Sequence, residues 1–315
     1  MAMTSTEQVK IAVILIVKDQ CVYIDQAITS VLKQLSAEDR LVLIDDGSTD
    51  GTDVVCERYR DNSKVDYVGF KKSKGLTWRL IDAIDCLPDE MVVLRQDGDD
   101  LSLPGRIARF RELFSSQTEV KLVASEVEFI DEGGVLIGTS MCSRARVHNL
   151  DMRFGNFLVH GSVGFRKRDY VAVGGYDRRL RFAQDFALWR RWIDTFGDNS
   201  IFICDQPLYA LRKHFYSVSI QKRWAQTLSG LMIIGKCMSE TKAWDDVSTV
   251  LGFYVRIIII LCKCNLSADS KVDAGIYLLK NRCLIGSVIL LFLGLKAWKR
   301  LLQGIMHVLI LRSKG

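Results

Sequence analysis

The chain has 315 residues, 49% of them apolar and 9% aromatic, which is enough to bury a full core and excludes a disordered chain. Its nine cysteines are scattered and odd in number. None fall in a C-x-x-C spacing, and Cys262 and Cys264 have a single residue between them, which argues against a structural zinc site and fits reduced thiols in a cytosolic compartment. The net charge of +6 resides in the tail: residues 274–315 carry seven Lys or Arg and no acid, leaving −1 elsewhere, so a membrane surface is the expected partner and nucleic acid is not.

The N-terminus MAMTSTEQVK lacks the apolar centre of a secretion signal, and a cytoplasmic location is expected. The run IAVILIV (Ile11 to Val17) reads as a strand, followed by a helix over Tyr23 to Gln34. Next come a strand LVLI, a helix from Asp53 to Tyr59, a strand VDYVGF, a helix from Thr77 to Cys86, a strand MVVL, and a helix beginning near Pro104. Near-continuous apolar runs indicate strands buried on both faces. Their alternation with helices predicts an α/β fold with an open, mostly parallel nucleotide-binding sheet flanked by helices. Ligands of such sheets lie beyond the carboxyl ends of the strands, where IDDGSTDGT and QDGDD fall. Further on, VEFI and VLIG flank Gly133-Gly134 as a hairpin, and Gln184 to Phe196 has the spacing of an amphipathic helix. A composition shift near Arg223 to Ser229 divides the chain into residues 1–225, the catalytic candidate, and residues 226–315.

The stretch QDGDD sets three carboxylates in four residues after an apolar strand. Asp97 and Asp99 form a D-x-D whose acids, two apart, point to one side. One hard divalent cation could sit between them and a phosphate-bearing ligand; a solvated turn is the alternative. Asp45 and Asp46 close the second strand, where a carboxylate can accept hydrogen bonds from a base N–H or a ribose hydroxyl. Ser48, Thr49 or Asp50 can cap the following helix, but a cap does not explain two adjacent acids. His148, His214 and His307 are isolated and read as surface or packed histidines. Trp189 and Trp192 read as core, Gly174-Gly175 as a tight turn, and Trp78 either as packing or as a wall of a ligand pocket.

Four segments, IAVILIVKDQ, LVLIDDGSTDGT, RQDGDDLSLPGRIARF and VHGSVGFRKRDYVAVGGYDRRLRFAQDFALWRRW, stand in the order and approximate spacing of inverting family 2 glycosyltransferases. The chain resembles that family over about residues 10 to 215. The resemblance implies a glycosyltransferase A-type fold, a nucleotide-sugar donor (a UDP-sugar first), a Mn²⁺ or Mg²⁺ ion, and direct displacement at the anomeric carbon. It places Asp46 at the nucleoside with Asp45 beside it, Asp99 at the metal, and Asp97 at the ribose or a metal-bound water. His160 would lie close to the donor phosphates or the acceptor, and Asp185 would be the catalytic base. The chain departs from the family at Ile16, Val17, Lys18 and Asp19, where Pro-Thr-Tyr-Asn is usual. Leu80 and Ile81 replace an Arg-Asn pair, with Arg79 one position early. Gln184 replaces a Glu and Ala187 an Asp, leaving Asp185 the single acid there.

The implied acceptor is a glycan or a polyprenyl-linked oligosaccharide. Two rival readings are a polyprenyl-phosphate sugar synthase and a non-catalytic nucleotide-sugar-binding scaffold of a polysaccharide assembly complex. In the tail, Leu284 to Leu295 is free of charge. As a helix it would reach about 18 Å at about 1.5 Å per residue, short of the roughly 30 Å hydrocarbon core. Lys280 and Arg282 precede it and Lys296, Lys299 and Arg300 follow it. A helical, membrane-associated extension, peripheral on the cytoplasmic face, is expected, with a buried helical subdomain as the alternative.

Overall fold

The computed structural model describes residues 9–140 and 156–214, with isolated helical positions at 226, 229, 230 and 233. His148, His307 and the predicted membrane-associated segments lie outside the described residues. The chain divides into two units, Met1–Gln221 and Lys222–Gly315, and the fold described is that of the first.

The amino-terminal half is a parallel sheet. Strand β1 (Ile11–Val17) pairs with β2 (Arg40–Asp45) on one side and β4 (Val92–Asp97) on the other, and β2 pairs with β3 (Val65–Gly69). Helices α1 (Ile24–Leu32), α2 (Thr52–Glu57) and α3 (Leu76–Asp85) make the crossovers. Every residue of β1 is buried, and its side chains alternate between two cores. Val13, Leu15 and Val17 meet Ile24, Ile28 and Val31 of α1, whereas Ile14 and Ile16 meet Leu80 and Ile84 of α3. The unbroken apolar run is therefore the signature of a central strand with helices on both faces.

Beyond β4 the sheet becomes mixed. Strand β8 (Gly164–Arg166) runs antiparallel to β4 and to β6 (Leu122–Ile130), and β9 (Ile201–Arg212) runs parallel to β6. The short β5 (Leu101–Ser102) pairs with β9, and β7 (Leu136–Thr139) completes the expected hairpin with β6. The order β3-β2-β1-β4-β8-β6-β9-β5, with β7 attached to β6, makes a nine-stranded sheet. Three more helices follow: α4 (Arg106–Ser116), α5 (Lys167–Ala172) and α6 (Gln184–Phe196). Trp189 and Trp192 of α6 are fully buried against Phe165 and Tyr170, the core role expected of them. Gly174 and Gly175 form the expected turn, both at positive φ. Among the described residues no helix is long and apolar enough to cross a membrane.

Candidate active site at the ends of strands β1 and β4

Strand order reverses at β1, which has β2 on one flank and β4 on the other, and such a switch point opens a crevice beyond the carboxyl ends of the strands. Lys18 and Asp19 leave β1 there, and Asp97, Gly98 and Asp99 leave β4. Gly98 has to be a glycine. A Cβ on it would lie 2.7 Å from the Val17 methyl, so a side chain would lift the D-x-D turn off the end of β1.

The D-x-D turn is held from below by buried arginines. Arg95, fully buried, donates from Nη2 to Asp97 Oδ1 at 2.5 Å and from Nη1 to the carbonyls of Ile14 and Gln96. Arg106, also fully buried, reaches Gln96 Oε1 at 3.0 Å and the carbonyls of Arg95 and Gly161 at 2.7 Å each. Burial lowers the Arg106 pKa to about 10, still far above neutrality, so the site retains this cation. Tyr209 completes the clamp: its hydroxyl accepts from the Asp97 N–H at 3.1 Å and donates to Asp100 Oδ2 at 2.8 Å. Asp100, the third acid of the cluster, also accepts from the Arg212 N–H at 2.7 Å. It anchors the turn, which leaves the other two acids to act in the crevice.

Arg212 ties three elements to the same turn. Its guanidinium donates to the Asp99 carbonyl at 2.8 Å, the Glu132 carbonyl at 3.0 Å and Gln26 Oε1 at 2.9 Å. Two residues beyond the end of β9, His214 is buried and its Nε2 lies 2.8 Å from Asp99 Oδ2. The expectation that His214 is an isolated histidine is corrected here. It is packed, but against the carboxylate predicted to bind a metal, because the long strand β9 runs beside β6 back to the D-x-D end of the sheet.

The donor set of Asp99 and His214 fits a divalent cation. Their Nε2–Oδ2 separation of 2.8 Å is that of a hydrogen bond, and two adjacent ligands of an octahedral ion at about 2.1 Å would lie roughly 3 Å apart, so an ion would take the place of the shared proton. An imidazole nitrogen beside a carboxylate oxygen suits a transition ion such as Mn²⁺ better than Mg²⁺. Among the described residues no cluster of three or more His, Cys, Asp or Glu could hold a metal alone. Phosphate oxygens and water would have to complete the shell.

The β2 end is organised around Asp46. Its carboxylate accepts from Ser73 Oγ at 2.7 Å, the N–H groups of Lys74 and Gly75 at 2.8 Å each, and Arg79 Nε at 2.6 Å. Burial would raise this carboxyl, but the four donors outweigh it and hold Asp46 below the usual carboxylate range. Asp46 thus fixes the loop at residues 73–75 against the second strand. Arg79 is buried, with its guanidinium 3.3 Å from the Phe70 ring centroid, as a support for that loop. Asp45 is buried too and accepts from the hydroxyl and N–H of Ser48; burial pushes its carboxyl up. Asp19, at φ 52°, accepts from the Thr49 N–H at 2.8 Å, so the β1 and β2 loops are tied to each other.

Asp185 is the second residue of α6. The residue that caps this helix, Ala183, stands in the left-handed region at φ 55°, a strained position for a residue with a Cβ and one often found at functional sites. Asn156 Nδ2 donates to Asp185 Oδ2 at 2.7 Å. Burial pushes the Asp185 carboxyl up, against the lowering effect of the Phe186 N–H and of Asn156, and the charge of Asp97 raises it further. His160 Nε2 lies 2.7 Å from the Tyr176 hydroxyl, with its ring set edge-on to Trp189. Burial, and then Arg95, depress the His160 pKa well below its usual value, so the ring is neutral. The Tyr176 hydroxyl in turn lies within the fields of Arg95, Asp185 and Asp97. Asp97 and Asp185 thus lie within electrostatic reach of each other and of Tyr176, the partner of His160.

The model of Glycosyl transferase family 2 matches residues 12–171, just over half of the chain. This chain belongs to glycosyl transferase family 2. Among curated proteins it is similar to the putative glycosyltransferase EpsE of Bacillus subtilis, 28% identical over 173 residues, covering 54% of this chain and 61% of that one. It is also similar to the UDP-Gal:alpha-D-GlcNAc-diphosphoundecaprenol beta-1,3-galactosyltransferase of Escherichia coli, 25% identical over 188 residues, covering 58% of this chain and 67% of that protein. The match to the bifunctional glycosyltransferase pgtA of Dictyostelium discoideum spans only 30% of that protein. Among solved structures, S. aureus TarS 1-349 has a TM-score of 0.55 at 16% identity, with 71% of this chain and 64% of that one covered. The mannosyltransferase PcManGT from Pyrobaculum calidifontis, solved with GDP-Man and Mn²⁺, has a TM-score of 0.52 at 14% identity, covering 95% and 80%. These likenesses establish the glycosyltransferase α/β fold of this family 2 member.

Several residues of the site escape sequence reasoning. Arg95, Arg106 and Arg212 look like ordinary surface charges in the sequence, although an arginine inside the apolar run MVVLR is an anomaly that could have been noticed. Tyr176, Asn156 and Tyr209 carry no local signal. Only the crossing of β9 over Gly161 brings Tyr209 to the turn: a Cβ on Gly161 would fall 2.0 Å from its hydroxyl.

Proposed function

We propose that this chain is an inverting glycosyltransferase that moves one sugar from a nucleotide-diphosphate sugar, first a UDP-sugar, to a hydroxyl of a glycan or lipid-linked oligosaccharide. The observation that carries the reading is Asp185: a single acid at the head of α6, raised by burial, held by Asn156, and within the field of Asp97. In this reading the acceptor hydroxyl lies against Asp185, which takes its proton as the oxygen attacks the anomeric carbon. The bond from that carbon to the diphosphate breaks on the opposite face, and the nucleoside diphosphate leaves with inversion.

Asp99 and His214 would hold the divalent ion, which stabilises the negative charge developing on the leaving diphosphate. Asp97, oriented by Arg95, is assigned to the ribose or a metal-bound water. Asp46 and Asp45 are assigned to the nucleoside side of the donor site, with Asp46 shaping the loop at 73–75 that walls it. Neutral His160, bonded to Tyr176, is assigned to the donor phosphates or the acceptor. The UDP preference draws on the donor named for the E. coli relative and on the solved complex of TarS 1-349 with UDP. The Mn²⁺ assignment draws on PcManGT.

The catalytic part is assigned to residues 1–225 and the basic, apolar residues 226–315 to contact with the cytoplasmic face of a membrane. The test is acceptor-dependent release of nucleoside diphosphate from a panel of nucleotide sugars with Mn²⁺, in wild type and in Asp185→Asn. Release in wild type that is lost in the variant supports the reading. Release that persists in Asp185→Asn within a few-fold favours a polyprenyl-phosphate sugar synthase, where the lipid phosphate needs little base. Donor binding with no release favours a scaffold.

A further inference from the structure

Two loops that the sequence keeps about a hundred residues apart build a positively charged rim beside Asp185. The first, after β3, carries Lys71, Lys72 and Lys74; the second, before α6, carries Arg178, Arg179 and Arg181. They meet where the Thr77 hydroxyl donates to the Leu180 carbonyl at 2.9 Å. Trp78 lies at the junction, about one third exposed, with Lys74 Nζ 4.9 Å and the Arg178 guanidinium 5.0 Å from its ring centroid. A tryptophan flanked in this way holds two cations near one another that would otherwise repel and disperse.

The carboxylates nearby do not neutralise the rim. Asp82 pairs with Lys74, Asp85 with Arg178 and Asp177 with Arg179, so with Asp185 counted six cations face four acids, an excess of two positive charges. Among the described residues, the side chains of Lys71, Lys72 and Arg181 have no carboxylate within ion-pairing reach. The reaction as proposed gives this excess no partner, because the donor diphosphate is assigned to Asp99, His214 and a cation at the β4 end.

We infer that this rim is a subsite for a phosphate or diphosphate group on the acceptor, read chiefly by Arg178 and Arg181 with Lys74 alongside. The inference rests on the proposed transfer reaction, since the acceptor is what Asp185 deprotonates. Arg181 is four residues before Asp185 and Arg178 seven, on the loop that leads into α6, so the rim is assigned to the acceptor that this helix would serve. A diphosphate there offers oxygens to guanidinium groups in the forked geometry that arginine favours.

The rim is read by binding, so that the result does not depend on turnover. Dodecyl diphosphate is titrated into the full-length protein in the calorimeter, with magnesium in excess and UDP at saturation, using wild type and Arg178→Gln/Arg181→Gln. Both arginines are exposed, so the double variant should fold, which its circular dichroism checks. Wild type should bind dodecyl diphosphate alongside UDP, and the double variant should bind it about 10-fold or more weakly, with UDP affinity unchanged. Dodecyl maltoside, the neutral probe, should bind both proteins equally. Direct competition between UDP and dodecyl diphosphate would overturn the inference by assigning the rim to the donor, as would equal affinity in the two proteins. Vesicles with about 30% phosphatidylglycerol form the second arm: a larger loss for vesicles than for the diphosphate would make the rim a membrane contact and overturn it as well. If transfer is absent from every panel while this binding difference persists, the proposed reaction fails and the anion site stands.

Discussion

His214 Nε2 lies 2.8 Å from Asp99 Oδ2, although the two residues are 115 apart in the chain. Asp99 leaves the central strand β4, and His214 follows β9, which reaches the same end of the sheet by pairing with β6. The pair therefore exists only when both halves of the sheet are formed.

Asp99→Ala and His214→Ala should each remove most of the Mn²⁺-dependent gain in UDP affinity. The expected loss for His214→Ala is about 10- to 100-fold, as for other changes that disturb a metal's surroundings, and Asp99→Ala should lose more. Calorimetric titration of UDP with and without Mn²⁺ checks this. A His214→Ala protein with an unchanged Mn²⁺ effect would restrict the metal assignment to Asp99.

Asp185→Asn should bind donor normally while transfer falls by a factor of about 100 to 10,000. Burial raises the Asp185 carboxyl, and a base works only when deprotonated. Activity should therefore fall as pH drops through a value above the ordinary Asp range of about 4. That acid limb of kcat/KM should be absent from the residual activity of the variant.

Gly161→Ala should destabilise the chain, because its new Cβ would meet the Tyr209 hydroxyl at 2.0 Å. Displacing the ring breaks its bonds to Asp97 and Asp100. The expected cost is about 1–3 kcal/mol, the usual range for overpacking, visible as a lower Tm. Tyr209→Phe alone leaves buried Asp100 short of a donor at a similar cost of about 1–3 kcal/mol. The double variant should cost less than the two single changes added together, since both act on the same contact.

Asp39 provides a pH test away from the site. It is fully buried and accepts from the N–H groups of Ile11 and Ser36, from the Ser36 hydroxyl, and from Arg111. Burial pushes its carboxyl up, but Arg111 and Ser36 outweigh that and hold it below the usual range. A depressed carboxyl stabilises the fold fully above the unfolded-state value of about 4, and the contribution is lost as pH falls through the folded-state value. Asp39→Asn should cost about 3–5 kcal/mol at pH 7, the range for stranding a buried partner, and the gap to wild type should close below about pH 4. Urea denaturation at several pH values measures it.

The full-length protein should sediment with anionic vesicles and be released only in part by high salt. Each of the seven basic residues after Asp273 contributes roughly 1 kcal/mol near such a surface, and salt screens that contribution. The apolar run Leu284 to Leu295 adds burial that salt does not weaken. Complete release by salt would leave surface attraction alone, and no binding at all would remove the membrane assignment.

The sequence by itself determined the elements of this protein and which of its loops lie beyond the carboxyl ends of the strands. IAVILIV could only be a strand buried on both faces, and the acids at Asp45, Asp46, Asp97 and Asp99 could only lie at strand ends, because alternation and charge are local properties of the chain. The position of Asp185 in the first turn of an amphipathic helix was legible too. What the tertiary structure decided is which residues serve these acids. The partners of Asp99, Asp100 and Asp46 come from His214, Tyr209 and the loop at 73–75, at separations of 27 to 115 residues. Sheet order sets those meetings, and it follows from packing across the whole domain. Arg95, Arg106 and Arg212 show the same limit: a guanidinium looks solvent-facing in a sequence, and only a fold that encloses it with carbonyl and carboxylate partners makes it part of the site.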